Sequence, residues 1–217
     1  MLEAENRRPL ASRETGWAKA LARALSSSRV TPNQISQASL MAALLAGAAF
    51  WLSGSAGGFV RPSLLILAAL SCQLRLLCNL LDGMVAVEAG RGTRDGAFWN
   101  EFPDRVADVI ILVGAGLGIG SPGLGFAAAA MAVLTAYVRE LGRACGAPSD
   151  FSGPMAKPHR MATITAAALL SALEPLWDGS GEILTVALWA VAAGAALTAL
   201  RRAARLRAWL AREPMSR

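Results

Sequence analysis

Histidine and cysteine are scarce in this sequence, with one His and three Cys in 217 residues. Cys72, Cys78 and Cys145 show no metal-ligand spacing and fall in or near apolar runs. They read as small buried hydrophobes rather than as metal ligands. A lone histidine is more often a surface or interfacial residue than a ligand, so His159 is assigned no catalytic role. No internal repeat is visible. The first 33 residues are polar and amphipathic rather than apolar, so no cleavable signal peptide is expected.

Apolar residues, in contrast, make up 54% of the chain, and its mean hydropathy is +0.44. The apolar runs are too long for one soluble domain of this length. They predict an all-α integral membrane protein with six spans near 34–53, 62–87, 97–119, 123–144, 159–177 and 182–206. Several of these are rich in Ala and Gly, which lets membrane helices approach closely and permits a homodimer. Residues 1–33 are expected to form an arm and an interfacial helix. Residues 34–206 then form the membrane domain, and 207–217 a basic tail. Within the arm, Trp17, Leu21 and Leu25 share one helix face and Lys19 and Arg23 lie largely on another, as in a helix lying on a membrane surface. Pro32 breaks the helix after it, and Thr31 or Asn33 is placed to cap the first span.

Eighteen of the 21 basic residues fall on one side of these spans, in the N-terminal arm, the 2–3 loop, the 4–5 region and the tail. The opposite loops hold Arg61 with the acids Glu174, Asp178 and Glu182. By the positive-inside rule both termini and the 2–3 loop are cytoplasmic, in a bacterial-type inner or plasma membrane. The net charge of +6 is concentrated at helix ends beside apolar spans, so anionic lipid headgroups rather than nucleic acid are the expected partner.

Chemistry concentrates between Asn79 and Asp108. Asn79 and Asp82 are three residues apart, and Asn100, Asp104 and Asp108 are four apart, so each set forms a stripe on one helix face. Ionisable groups are costly in hydrocarbon and mark function by default. Two facing stripes joined by a Gly-rich loop (Gly90, Gly92, Gly96) suit magnesium or manganese, which takes oxygen ligands and keeps phosphates in its shell. Such metal would bind a pyrophosphate and stabilise its leaving oxygens. A carboxylate not fully engaged with metal could deprotonate a hydroxyl. Arg75 lies deeper than Asp82, and its expected partner is Asp108, in a structural bridge. Arg139, Arg143, Lys157 and Arg160 are either phosphate contacts or positive-inside anchors.

The pattern Asp82-Gly83-x-x-Ala86, then Gly96-x-x-x-Asn100-x-x-x-Asp104, resembles the signature of the CDP-alcohol phosphotransferases. That signature is D-x-x-D-G-x-x-A-R, about eight residues, then G-x-x-x-D-x-x-x-D. Thr31-Pro32-Asn33 is similar to the T-P-N element common in that family. The resemblance covers most of the chain. It implies six spans, an amphipathic N-terminal helix and transfer of a substituted phosphate, phosphatidyl here, from a CDP-linked donor such as CDP-diacylglycerol. The hydroxyl acceptor would take that group in phospholipid biosynthesis and CMP would leave.

The resemblance further implies that Asp82, Asp104, Asn79 and Asn100 hold one or two Mg²⁺ or Mn²⁺ ions. It implies that Asp104 is the base and that Gly83, Ala86 and Asn33 lie on the nucleotide side. Three positions depart from the signature, with Asn79 and Asn100 in place of Asp and Val87 in place of Arg. Glu88 and Glu101 are the neighbouring acids that could substitute. The departures leave open a second reading, a catalytically impaired relative acting as a membrane binding or partner protein. A transporter is a weaker third reading, because discontinuous spans in matching halves are lacking.

Overall fold

The computed structural model describes residues 15–28, 30–88 and 95–212, apart from the side chains of Val87, Glu88, Ala97 and Asn100. Arg7, Arg8, Arg13, Arg29, Gly90, Arg91, Gly92, Arg94 and Arg217 therefore lie outside the described residues, as do the side chains of Asn100 and Glu88. The described chain is helical: α1 (Gly16–Ser26), α2 (Pro32–Ser53), α3 (Val60–Glu88), α4 (Gly96–Gly118), α5 (Pro122–Ala144), α6 (Lys157–Ser171) and α7 (Glu182–Leu210), with a 3-10 turn at Glu174–Trp177.

Helix α2 begins where Pro32 sets its first turn and Thr31 caps it. The Thr31 hydroxyl accepts from the Gln34 backbone N–H at 3.3 Å, and the Gln34 side chain accepts from the Thr31 N–H at 3.0 Å. This reciprocal pairing satisfies two donors that a helix start otherwise leaves open. Thr31, not Asn33, is thus the cap. Asn33 lies in the first turn behind it.

Helix α2 packs against α3 and α4, α5 packs against α4 and α7, and α6 sits between α3 and α7. Close approach rests on missing side chains. A Cβ on Gly114 of α4 would meet the backbone of Gly47 on α2, and one on Gly116 would meet Gly125 of α5. Alanines fill the remaining seams around Phe50, Leu65, Ile111, Leu112, Met161 and Leu188. Helix α1 buries Ala18 and Ala22 against Leu80, Leu81 and Val85 of α3, while Trp17 and Leu21 face outward.

Among the described residues four helices, α2, α3, α5 and α7, are long and apolar enough to cross a membrane. Their outward faces expose Leu44, Trp51, Leu70, Leu74, Val186, Trp189 and Leu200. Apolar exposure on that scale is foreign to a monomer surrounded by water. The other two expected spans differ for separate reasons. Helix α4 carries Glu101, Asp104, Arg105 and Asp108 along its first half. Helix α6 has 15 residues, which at ~1.5 Å per residue is about 22 Å and short of a ~30 Å hydrocarbon core. Its expected continuation to residue 177 is interrupted at Ala172, and a 3-10 turn with Pro175 near its start follows. Helix α7 runs past the expected end at 206 to Leu210, with Arg207 in a last turn that favours positive charge.

Gly114→Ala should cost about 1–3 kcal/mol by forcing α2 from α4. Gly123→Ala, where a Cβ meets nothing within 4 Å, should leave the thermal midpoint in detergent nearly unchanged. Equal midpoints for both variants would contradict the close-packing account.

Candidate active site

The polar stripes of α3 and α4 face each other, and α2 contributes a third wall. Ser36 and Ser39, three apart on α2, aim at α3. The Ser36 hydroxyl donates to Asp82 Oδ2 at 2.8 Å, and the Ser39 hydroxyl donates to Asn79 Oδ1 at 2.7 Å. Asn79 turns its amide nitrogen to α4 and donates to Asp104 Oδ1 at 2.6 Å. The Lys157 ammonium, from the first turn of α6, bonds Asp104 Oδ2. Asp82 is buried, and it also accepts from the Gly83 N–H. Four helices thus converge on Asn79, Asp82 and Asp104.

Below this cluster lies a fully buried ionic layer. Arg75 Nη2 donates to Asp108 Oδ1 at 2.9 Å and also reaches Asp104, at 3.1 Å to the backbone carbonyl and 3.3 Å to Oδ1. The expected Arg75–Asp108 bridge is therefore present. Asp108 is shared, however: Arg160 Nη2 of α6 donates to Oδ2 at 2.6 Å. Arg160 Nη1 also donates to Thr135 Oγ1 at 3.2 Å and to the Met155 carbonyl at 3.0 Å. Nε and Nη1 of Arg75 and Nε of Arg160 are buried without a hydrogen-bond partner. Charge, more than hydrogen-bond number, therefore holds these guanidiniums against Asp108.

The four basic residues flagged in the sequence fall into two groups. Lys157 and Arg160 enter the polar core, as described. Arg139 bonds Glu101 of α4 and Glu140, and lies over the Phe151 ring at 5.3 Å to its centroid. Arg143 pairs with Glu140 at 2.8 Å. Arg139 borders a cavity of about 360 Å³ between the end of α5, the 147–150 loop and α7, whose wall includes Asp150, Arg202, Arg205 and Trp209. Arg202 Nη1 donates to the Thr135 carbonyl at 2.8 Å, so Thr135 joins this cavity to the ionic layer. In the loop, burial pushes the Asp150 carboxyl up. Hydrogen bonds from the Ser152 hydroxyl and N–H and from Arg205 outweigh this and hold it below the usual carboxylate range.

No family model matches the chain. Over 164 residues it is 28% identical to the inner membrane protein YnbA of Escherichia coli strain K12, covering 75% of this chain and 77% of that protein. It is 29% identical over 142 residues to a phosphatidylinositol phosphate synthase of Streptomyces avermitilis, and 33% identical over 137 residues to one of Mycolicibacterium smegmatis. Those matches cover 62% and 58% of this chain and span 58% and 59% of the two synthases. The fold matches the Mycobacterium tuberculosis phosphatidylinositol phosphate synthase PgsA1 crystallised with CDP-DAG. There the TM-score is 0.74 at 21% identity, over 92% of this chain and 98% of that one. PgsA1 in complex with manganese and citrate gives the same TM-score. These synthases are CDP-alcohol phosphotransferases. This chain is similar to them in sequence and shares the fold of PgsA1.

The donor set can be tested against the divalent metal that the phosphotransferase fold implies. Asp82 and Asp104 interact electrostatically across the α3–α4 crossing. Both are hard oxygen donors, but Asp104 is already engaged by Asn79, Arg75 and Lys157, and among the described residues no three acid, histidine or cysteine side chains come together to hold a metal. Asn79 presents N–H, not oxygen, towards Asp104, and its carbonyl is occupied by Ser39. The fourth signature position, Asn100, has its backbone in the first turns of α4. Ser36 and Ser39 were not singled out in the sequence, although their i, i+3 spacing just after the T-P-N element puts them on one face. Arg160 as the second partner of Asp108 was likewise missed. Its three-residue step from Lys157 was the available signal.

Asp108→Asn should cost about 3–5 kcal/mol, because it strands two buried guanidiniums. Arg143→Ala should cost under about 1 kcal/mol, because its pairing is half-exposed. Thermal unfolding in detergent separates the two. Asp150 should show an acid dependence of definite sign. A depressed folded-state carboxyl adds stability above its unfolded pKa and loses it as pH falls. The gap in thermal midpoint between wild type and Asp150→Asn should be present at pH 6 and shrink progressively as pH falls below the ordinary carboxylate value of 3.8. A gap that widens in acid would contradict the assignment.

Proposed function

We propose that this protein transfers a phosphatidyl group from CDP-diacylglycerol to a hydroxyl acceptor in the membrane, releasing CMP. The observation that carries the reading is that signature positions 79 and 104 are hydrogen-bonded to each other while Asp82, one turn along α3 from Asn79, is held from the same face of α2. The fold around it is shared with a synthase crystallised with CDP-DAG and, separately, with manganese. In this reading α1 lies on the cytoplasmic leaflet and six helices, with α4 and α6 completed by their neighbours, make up the 34–206 domain. The termini and site face the cytoplasm, with the basic tail near anionic lipids.

A divalent ion, Mg²⁺ or Mn²⁺, would be held by Asp82 and Asp104, and would supply charge stabilisation to the pyrophosphate being cleaved. The remaining roles belong to the chain. Gly83 and Ala86, small residues on the face after Asp82, leave room for the nucleotide, with Asn33 near the head of α2. The acceptor oxygen attacks the phosphorus of the phosphatidyl group, and the bond from that phosphorus to the CMP oxygen breaks. Asp104 takes the acceptor proton. Ser36 fixes the Asp82 rotamer, and Asn79 with Ser39 fixes Asp104. Lys157, with Arg139 and Arg143 further out, supplies positive charge to phosphate oxygens.

Purified protein with Mg²⁺ or Mn²⁺, CDP-diacylglycerol and a panel of alcohols should release CMP, and Asp104→Ala should lower the rate by at least about 10²-fold. One observation favours the catalytically impaired reading. Asp104 is already satisfied by Asn79, Arg75 and Lys157. Activity that arises only in Asn79→Asp/Asn100→Asp, from none in the wild type, would select that reading.

A further inference from the structure

We infer that Thr198 of α7 is a positioning residue, which through the 150–155 segment sets the Lys157 ammonium against Asp104. The inference rests on the reading of Lys157 as a cation that meets phosphate oxygens. It is carried by the way the chain enters α6. That helix starts at Lys157 behind Ala156, whose side chain offers no capping acceptor. Its first turn is therefore placed by tertiary contacts. Lys157 follows Met155 by two residues, a reach of at most about 7 Å, so whatever holds Met155 also limits where Lys157 can stand.

Segment 150–155 lies along one face of α7 and runs antiparallel to it. Asp150 Oδ2 accepts from Arg205 Nη1 at 3.0 Å, and the Ser152 carbonyl accepts from Arg202 Nε at 2.9 Å. The Met155 N–H then donates to Thr198 Oγ1 at 3.0 Å. Positions 194, 198, 202 and 205 share that helix face. The two surfaces fit closely. A Cβ on Gly194 would meet Met155 Cβ at 2.9 Å, and one on Gly153 would overlap the Thr198 methyl. Gly153 also holds a φ of +129°, which is open to glycine and strained for other residues.

Thr198 is the point where this face meets the entry to α6. Its side chain is fully buried. The hydroxyl donates to the Gly194 carbonyl at 2.7 Å, which turns a lone pair to the Met155 N–H. The Met155 carbonyl accepts from Arg160 Nη1 at 3.0 Å. The backbone of one residue thus joins α7 to the guanidinium that pairs with Asp108, and the Lys157–Asp104 contact follows two residues on. Without the hydroxyl the Met155 N–H loses its acceptor, and the segment gains by moving away from α7 towards water.

The sequence holds two lysines, Lys19 and Lys157. Acylation of the full chain in detergent by an activated ester, read by mass spectrometry, therefore reports Lys157 with Lys19 as internal reference. Every variant is compared well below its thermal midpoint. Thr198→Val should raise labelling of Lys157 relative to Lys19 at least about fivefold and speed amide exchange at Met155, and Thr198→Ser should restore both. Gly153→Ala, which disturbs the same contact from the other side, should reproduce the change and decides alone if Thr198→Val does not fold. Equal labelling of Lys157 in the wild type and in the folded variant would overturn the inference. So would faster labelling that Thr198→Ser does not reverse. CMP release from the same samples separates this from the functional reading. A loss of at least about tenfold in Thr198→Val joins the positioning to the reaction. A wild type that releases no CMP sinks the function, and the labelling still decides the positioning. Unchanged release beside faster labelling removes Lys157 from the reaction and leaves Thr198 as the residue that places it.

Discussion

Asp108 lies between two guanidiniums, Arg75 and Arg160, and much of the arrangement around it follows. Arg75 comes from α3 and Arg160 from α6, so one carboxylate on α4 ties three helices. An ion pair in an apolar interior gains little net stability over packed hydrocarbon, yet breaking it is expensive. Its effect is therefore on register. Arg75 can meet Asp108 and also the carbonyl and carboxylate of Asp104 only if α3 and α4 hold one depth relative to each other. That depth sets Asn79, one turn further along α3, against Asp104.

Charge fixes the depth, and small residues fix the distance. Ser36 and Ser39 have the shortest polar side chains available, and they reach Asp82 and Asn79 only because α2 lies close to its neighbours. Gly47 and Gly114 allow that approach two to three turns further along α2. The same side chains serve folding and site geometry. A buried carboxylate without donors would carry its desolvation cost uncompensated. The serine hydroxyls reduce this cost for Asp82 and orient Asn79 without adding charge.

Much of this was legible in the sequence. The helices fall close to where the apolar runs placed them, and the Arg75–Asp108 bridge follows from depth along two helices. The stripes at i, i+3 and i+4 are local properties, so periodicity reveals them. Partners drawn from distant segments are not local. Ser36 meets Asp82 across 46 residues, and Arg160 meets Asp108 across 52. Spacing could place Lys157 and Arg160 near phosphate, but not against particular carboxylates. Helix length was misjudged at α6 for a related reason. Hydropathy persists to Trp177, but the α-helix ends at Ser171 and a 3-10 turn takes over at Glu174.

The two amides where the family signature has aspartates are better understood as a change in charge balance than as the loss of ligands alone. An aspartate at position 79 would stand within hydrogen-bond distance of Asp104, and two carboxylates that close repel unless a cation lies between them. Asparagine removes the repulsion and replaces it with an N–H donor, so the pair is stable with no ion between its members. Lys157 then neutralises the outer oxygen of Asp104 from a separate helix. With Asn79 on one side and Lys157 on the other, Asp104 is neutralised within the chain. Asp82, by contrast, is held by the neutral Ser36 hydroxyl and Gly83 N–H, so its charge is offset by dipoles rather than by a cation at bonding distance.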